Sequence, residues 1–172
     1  MAERKITKNL VIPFLDISNS ANAGGTWTPV WKRIDKSTIF DLSFNPQSTT
    51  EDYIAYETAI EEISGYQPEL PQEIALYRGN EIYDYVEELC YNLEVGDALR
   101  IPFLLCFPPE YDTAGKVKPE LKAWRVKDCR LLLSNYNSVD GKVSFTLKIG
   151  GDIERITVEI KDGAPVVKES GE

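Results

Sequence analysis

Histidine is absent from the chain, which removes the usual general base near neutral pH, the Ser-His and Cys-His nucleophile pairs and the commonest metal ligand. The three cysteines, Cys90, Cys106 and Cys129, are separated by 15 and 22 residues, spacings that match no zinc pattern. Each sits in an apolar run, so they read as buried free thiols. There is no Gly-x-x-x-x-Gly-Lys-Ser/Thr loop, no Gly-x-Gly-x-x-Gly turn and no Gly-x-Ser-x-Gly elbow. What remains for chemistry is carboxylate: Glu61-Glu62 and Glu87-Glu88 are adjacent pairs, and paired acids are able to hold Mg²⁺ for phosphoryl transfer. Consecutive helix residues point about 100° apart, so Glu87 and Glu88 diverge and read as surface charge. No catalytic residue, cofactor or metal is expected.

Nucleic-acid binding is disfavoured as well. The 28 carboxylates outnumber 19 Lys and Arg, for a formal charge of -9, whereas affinity for phosphate rests on clustered cations. The basic residues Lys32, Arg33 and Lys36, then Arg125, Lys127 and Arg130, are interleaved with acids and apolar residues. Trp31 beside Lys32 and Arg33 reads as a core aromatic rather than a stacking platform. An acidic surface is also one past which DNA moves without sticking.

The elements that would position any site are mostly strands. In the stretch Asn80 to Leu93, Ile82, Val86, Leu89 and Leu93 share one face of a helix, Asn80 is its N-cap, Glu81 and Asp84 sit at its positive end, and Gly96 lies past its last turn. A lone amphipathic helix among strands acts as a lid over a sheet. Strands are predicted at Ile39–Phe44 with Phe40, Leu42 and Phe44 inward, at Glu69–Tyr77, at Leu99–Phe107 buried on both faces, and at Trp124–Ser134. A meander follows: Val143, Phe145, Leu147 and Ile149 alternate with polar residues, Gly150-Gly151-Asp152 turns the chain, and Ile156, Val158 and Ile160 alternate again.

These elements predict a mainly β chain, an antiparallel β-sandwich or barrel-like domain with one flanking α-helix, a long inter-strand loop and terminal arms. The expected organisation is an N-terminal arm over 1–25, one β-sandwich domain over 26–163 with the helix at 80–93 and the long loop at 47–72, and a C-terminal tail over 164–172. An ordinary first strand competes with the arm reading, because the apolar run Leu10 to Leu15 must be buried somewhere; Ser18 to Gly25 reads as a hinge. The long loop carries Tyr53, Tyr56, Ile60, Ile63 and Tyr66, more apolar surface than a solvated loop tolerates. The 42% hydrophobic composition is that of a globular domain, and the absence of an 18-residue apolar run predicts no membrane segment and a cytosolic product.

Trp31-Lys32-Arg33-Ile34, Asp41-Leu42-Ser43-Phe44-Asn45-Pro46, Tyr53-Ile54-Ala55, the run from Gly65-Tyr66-Gln67-Pro68 through Glu73, and the run from Tyr77-Arg78-Gly79-Asn80 through Val86 resemble, in that order, the tail tube (major tail) proteins of long-tailed, siphovirus-type bacteriophages with Gram-positive hosts. The likeness extends over Trp31 to Ile149. It implies a structural virion protein of the tail, assembled in the host cytoplasm, that self-assembles into stacked six-fold rings around a lumen through which DNA passes without specific binding. It further implies contacts with a tape-measure protein, a tail terminator and a tail-tip initiator. On this reading Leu10, Val11, Phe14, Tyr53, Tyr56, Ile60 and Tyr66 are candidates for contacts between subunits or rings. Ser144, Thr146, Lys148, Thr157 and Glu159 are candidates for the lumen through their polar parity. A tail terminator or head-tail joining component of related fold, and an enzyme using carboxylates and Mg²⁺, are the alternatives.

Overall fold

In the structure, a computed structural model describing Glu3 and residues 5–168, nine strands and one α-helix follow one another as β1 (Ile12–Asp16), β2 (Trp31–Arg33), β3 (Pro46–Glu51), β4 (Ile60–Tyr66), β5 (Glu69–Ala75), α1 (Glu81–Asn92), β6 (Phe103–Cys106), β7 (Glu120–Asn137), β8 (Lys142–Lys161) and β9 (Ala164–Lys168). Seven of the strands form one antiparallel sheet in the order β2-β1-β6-β7-β8-β5, with β9 on the far half of β8; β3 and β4 pair only with each other. β2 comes back against β9, so the sheet nearly closes into a barrel. The expected class, mainly β with one flanking helix, is what the chain adopts.

The longest elements set the shape. β7 has 18 residues and β8 has 20, and strands of that length twist too far to cover one flat core. Between Val126↔Ile153 and Asp128↔Gly150 β8 spends one residue more than β7, a bulge that bends the pair. Glycine is required there. Gly151 has φ +63°, and a Cβ on it would lie 2.8 Å from Asp128 Oδ2. The expected turn at Gly150-Gly151-Asp152 is therefore a bulge inside one continuous strand, and the next reversal comes at Asp162-Gly163, both at positive φ.

The bend divides the sheet between two cores on opposite faces. Before it, Val143, Phe145, Leu147 and Ile149 of β8 pack with Leu70 and Ile74 of β5, Leu131 of β7 and the inner face of α1. Beyond it, Val158 packs with Leu121 and Ala123 of β7, Phe14 of β1 and Leu104 and Cys106 of β6, joined by Ile156 and Ile160. Neighbouring residues Phe14 and Leu15, and Leu104 and Leu105, enter different cores. β1 and β6 are thus buried on both faces, which is why their sequences are unbroken apolar runs.

α1 covers the first core with Ile82, Tyr83, Val86 and Leu89. The Asn80 side chain accepts a hydrogen bond from the Tyr83 N–H at 3.0 Å, as the sequence predicts. The helix ends earlier than Gly96: Leu93 takes the left-handed conformation, φ +49°, and its N–H and that of Glu94 reach back to Cys90 and Leu89.

Several expectations are corrected. Ile12–Asp16 is an interior strand paired with β2 and β6, which follows the first-strand alternative for that run rather than the arm; Met1, Ala2 and Arg4 lie outside the described residues. Ser18 to Gly25 is no free hinge: Asn22 Nδ2 donates to the Asp97 and Arg100 carbonyls, and Arg100 returns bonds to Asn22 and Ala21. Ala164–Lys168 pairs with β8 rather than forming a tail; residues 169–172 lie outside the described residues. Ile39–Phe44 is not a strand. Residues 36–45 run beside β5 with a broken ladder, held by Thr38 to Glu73, Ser43 to Glu69 and Ala75 to Lys36, and Phe40 and Phe44 are exposed. The long loop 47–72 is the β3–β4 hairpin followed by the start of β5.

Three outcomes test this arrangement. Val86→Asp places a carboxylate at a fully buried position without a partner and should cost several kcal/mol, roughly the cost of an unpaired buried polar group or more, yielding insoluble or unfolded protein by circular dichroism. Gly151→Val should lower the urea midpoint by the equivalent of about 1–3 kcal/mol from backbone strain alone. Leu93→Gly, at an exposed left-handed position, should raise the melting temperature, with a gain of about 1 kcal/mol.

Candidate functional site

The β3–β4 hairpin is a pair of strands with no buried face. Pro46↔Tyr66 through Glu51↔Ile60 pair antiparallel, with one irregularity between Gln47 and Ser48, and no residue of either strand is buried. A lone two-stranded hairpin is marginal in water, and this one is held at its base. The Gln67 N–H donates to the Phe44 and Asn45 carbonyls, and the Phe44 ring stands edge-on between Tyr66 and Trp124, 6.4 Å from each. Asn45, at φ +43°, makes the corner and donates through Nδ2 to the Gln67 carbonyl.

On this hairpin Tyr53, Ile54, Tyr56, Ile60, Ile63 and Tyr66 are all exposed, and Ile54 at the tip is uncovered entirely. Tyr53 and Tyr56 stack edge-to-face at 6.2 Å. Glu51, Asp52, Glu57, Glu61 and Glu62 share the segment, which has no Lys or Arg between residues 46 and 66. None of these carboxylates meets a cation among the described residues; Glu61 accepts from Ser48 Oγ at 2.6 Å and Glu51 from the Tyr53 hydroxyl. Of the candidate contact residues, Tyr53, Tyr56, Ile60 and Tyr66 thus fall together on one exposed element. Leu10 and Val11 are half-buried. Phe14 has no exposed surface and is a core residue, so it is withdrawn as a contact: the strand that carries it is buried on both faces.

The candidate lumen residues do not share a face. Ser144, Thr146 and Lys148 alternate with residues of the first core, whereas Thr157 and Glu159 alternate with residues of the second. Because the cores lie on opposite faces of the sheet, one flat wall holds one set or the other. Glu69 pairs with Lys148, and Glu73 with Lys142 at 2.5 Å; both ion pairs link β5 to β8. Lys142 and Thr38 hold the Glu73 carboxyl below the usual carboxylate range.

The groups first considered for chemistry are engaged in structure. Glu87 is bound by Arg78 and by the Tyr83 hydroxyl at 2.8 Å, and that hydroxyl also meets Tyr136 at 2.8 Å. Arg78 and Tyr83 lower the Glu87 carboxyl, and burial raises the Tyr83 hydroxyl. Glu87 is therefore a tie between the helix, the chain before it and β7, not plain surface charge. Burial pushes the Cys106 thiol up to about 12 and raises that of Cys129 too. Four of the six basic residues pair with acids: Lys32 with Glu81 at 2.8 Å, Arg125 with Glu154 at 2.5 Å, Lys127 with Glu154 at 3.4 Å and Arg130 with Asp97 at 3.2 Å. That pairing leaves no cluster of cations free for phosphate at these positions.

Two features escaped the sequence. Asp16 is buried and accepts three hydrogen bonds, from the Ser18 and Val30 N–H groups, each at 2.9 Å, and from Trp27 Nε1 at 2.7 Å. It fastens the segment between β1 and β2. The second is a groove of about 630 Å³ whose walls include Phe107, Pro108, Trp124 and Ile156, with Lys122 and Arg155; Phe107 and Trp124 meet edge-to-face at 5.1 Å. It borders the hairpin base through Trp124 and Phe44.

No family model matches the chain, and no curated protein matches its sequence. Among solved structures the chain is similar to one in the cryo-EM structure of an extracellular contractile injection system, the PVC sheath/tube terminator in its extended state, with a TM-score of 0.49 at 9% identity over 91% of this chain and 99% of that one. It is also similar to a chain of the anti-feeding prophage (AFP) baseplate, 6-fold symmetrised, with a TM-score of 0.45 at 7% identity over 91% of this chain and 97% of that one.

Proposed function

We propose that the chain is a structural subunit of a phage-type tail, and that it assembles with copies of itself into rings that stack as a tail tube. The observation that carries this reading is the β3–β4 hairpin: six large apolar side chains stand on an element that its own fold leaves uncovered. Apolar side chains left uncovered in this number on one element mark a protein contact. The resemblance of Trp31–Ile149 to tail tube proteins supplies the kind of assembly, a six-fold ring with a DNA-conducting lumen, and the terminator, tape-measure and initiator as partners. The net charge of -9 suits a wall that repels phosphate rather than binding it. A ring would also protect sheet edges that an isolated subunit exposes.

The test is negative-stain electron microscopy of the purified protein beside a variant in which residues 48–64 are replaced by Asn-Gly. Gln47 and Gly65 already face each other, and a two-residue turn closes such a gap. Wild-type protein should form tubes and the variant a folded monomer with unchanged circular dichroism. Isolated rings without tubes would assign the chain to a terminator or joining position instead. Normal tubes from the shortened variant would exclude the hairpin as the contact.

A further inference from the structure

We propose that the groove at Phe107 and Trp124 receives the tip of the β3–β4 hairpin from a second copy of this chain. The inference rests on the assembly reading above and adds the surface on which the partner sits. An aromatic wall offers area to Tyr53, Ile54 and Tyr56, and the groove volume, about 630 Å³, is that of a pocket for several side chains.

Charge selects the occupant. In a chain of net charge -9, the groove carries Lys122 and Arg155 against a single acid, Glu110. Glu110 is already engaged by Lys122 at 2.5 Å and Lys118 at 3.2 Å, and Arg155 makes no ion pair among the described residues. The hairpin brings five carboxylates and no cation. Opposite potentials of this kind set register and speed encounter. A subunit's own hairpin does not fill its groove, since Ile54 is uncovered at the tip. Donor and acceptor are different surfaces of one subunit, so the contact is head-to-tail and repeats into rings or stacks. It also moves Thr157, which lines the groove, from the lumen to the boundary between subunits.

Charge reversal in the full chain tests the proposal. Lys122→Glu with Arg155→Glu should raise the concentration at which assemblies sediment by at least about tenfold, the effect of opposing like charges worth about 1.4 kcal/mol. Adding Glu61→Lys and Glu62→Lys should bring that concentration back toward wild type. Thr157→Trp, which fills the groove, should block assembly while leaving thermal unfolding of the monomer unchanged. Groove variants that assemble like wild type, while the shortened hairpin variant stays monomeric, would overturn the groove as receptor and leave the assembly reading standing. Loss on charge reversal without rescue, together with normal assembly of Thr157→Trp, would also overturn it. A wild-type chain that never assembles would overturn both.

Discussion

The bend at Asp128 and Gly151 is the constraint on which the rest of the molecule depends. Two paired strands of 18 and 20 residues cannot bury one face along their whole length, because twist carries that face away from any single layer packed on it. The bulge resolves this by giving each half its own core, on opposite faces. From that follow the double burial of β1 and β6, the single helix, which is needed over the first core only, and the near-closure of β2 on β9 around the second. The Asp128 side chain, together with a positive φ, explains the glycine at 151, while a Cβ at 150 would make only a tight 3.3 Å contact with the Asp128 carbonyl oxygen.

The same bend explains what was legible in the sequence. Periodicity located α1, since Ile82, Val86 and Leu89 repeat at helical spacing and all three are buried. It located both halves of β8 as well, but read the glycines between them as a turn, because a bulge and a turn make the same demand for positive φ. In β7, Trp124 and Val126 share one parity and Cys129, Leu131 and Leu133 the other, yet all five pack toward the first core; the alternation breaks at the bend. The hairpin was illegible for the opposite reason. Hydrophobic periodicity records a difference between two faces, and β3 and β4 have no buried face to record. Asp16 left no trace because its partners, two backbone N–H groups and Trp27, are brought to it by the fold.

The two halves of the sheet have different duties. The first core carries the helix and the ties of Glu87 to Arg78 and Tyr83, with the Tyr83 hydroxyl passing on to Tyr136. The second core is smaller, and its outer side holds the groove. Trp124 joins them: it packs against the first core, walls the groove with Phe107, and meets Phe44 at the hairpin root. The hairpin root and the groove wall thus share one side chain.

Magnitudes show why such a contact belongs in a closed assembly. Burying the hairpin's apolar tip would remove about 500 Å² from water, worth about 12 kcal/mol before costs at about 25 cal/mol per Å². Losses of translational and rotational freedom, with ordering of a marginal hairpin, oppose this by about 4–15 kcal/mol, a range that reaches the whole gain. One hairpin in one groove is then a weak pair. In a ring the last subunit makes two such contacts for one loss of freedom, and stacking adds more at high effective concentration. Five carboxylates on the hairpin oppose its non-specific association, and in the proposed contact a groove with Lys122 and Arg155 supplies the opposite charge. On the proposed reading, assembly is directed to a surface that answers both the aromatic rings and the acids.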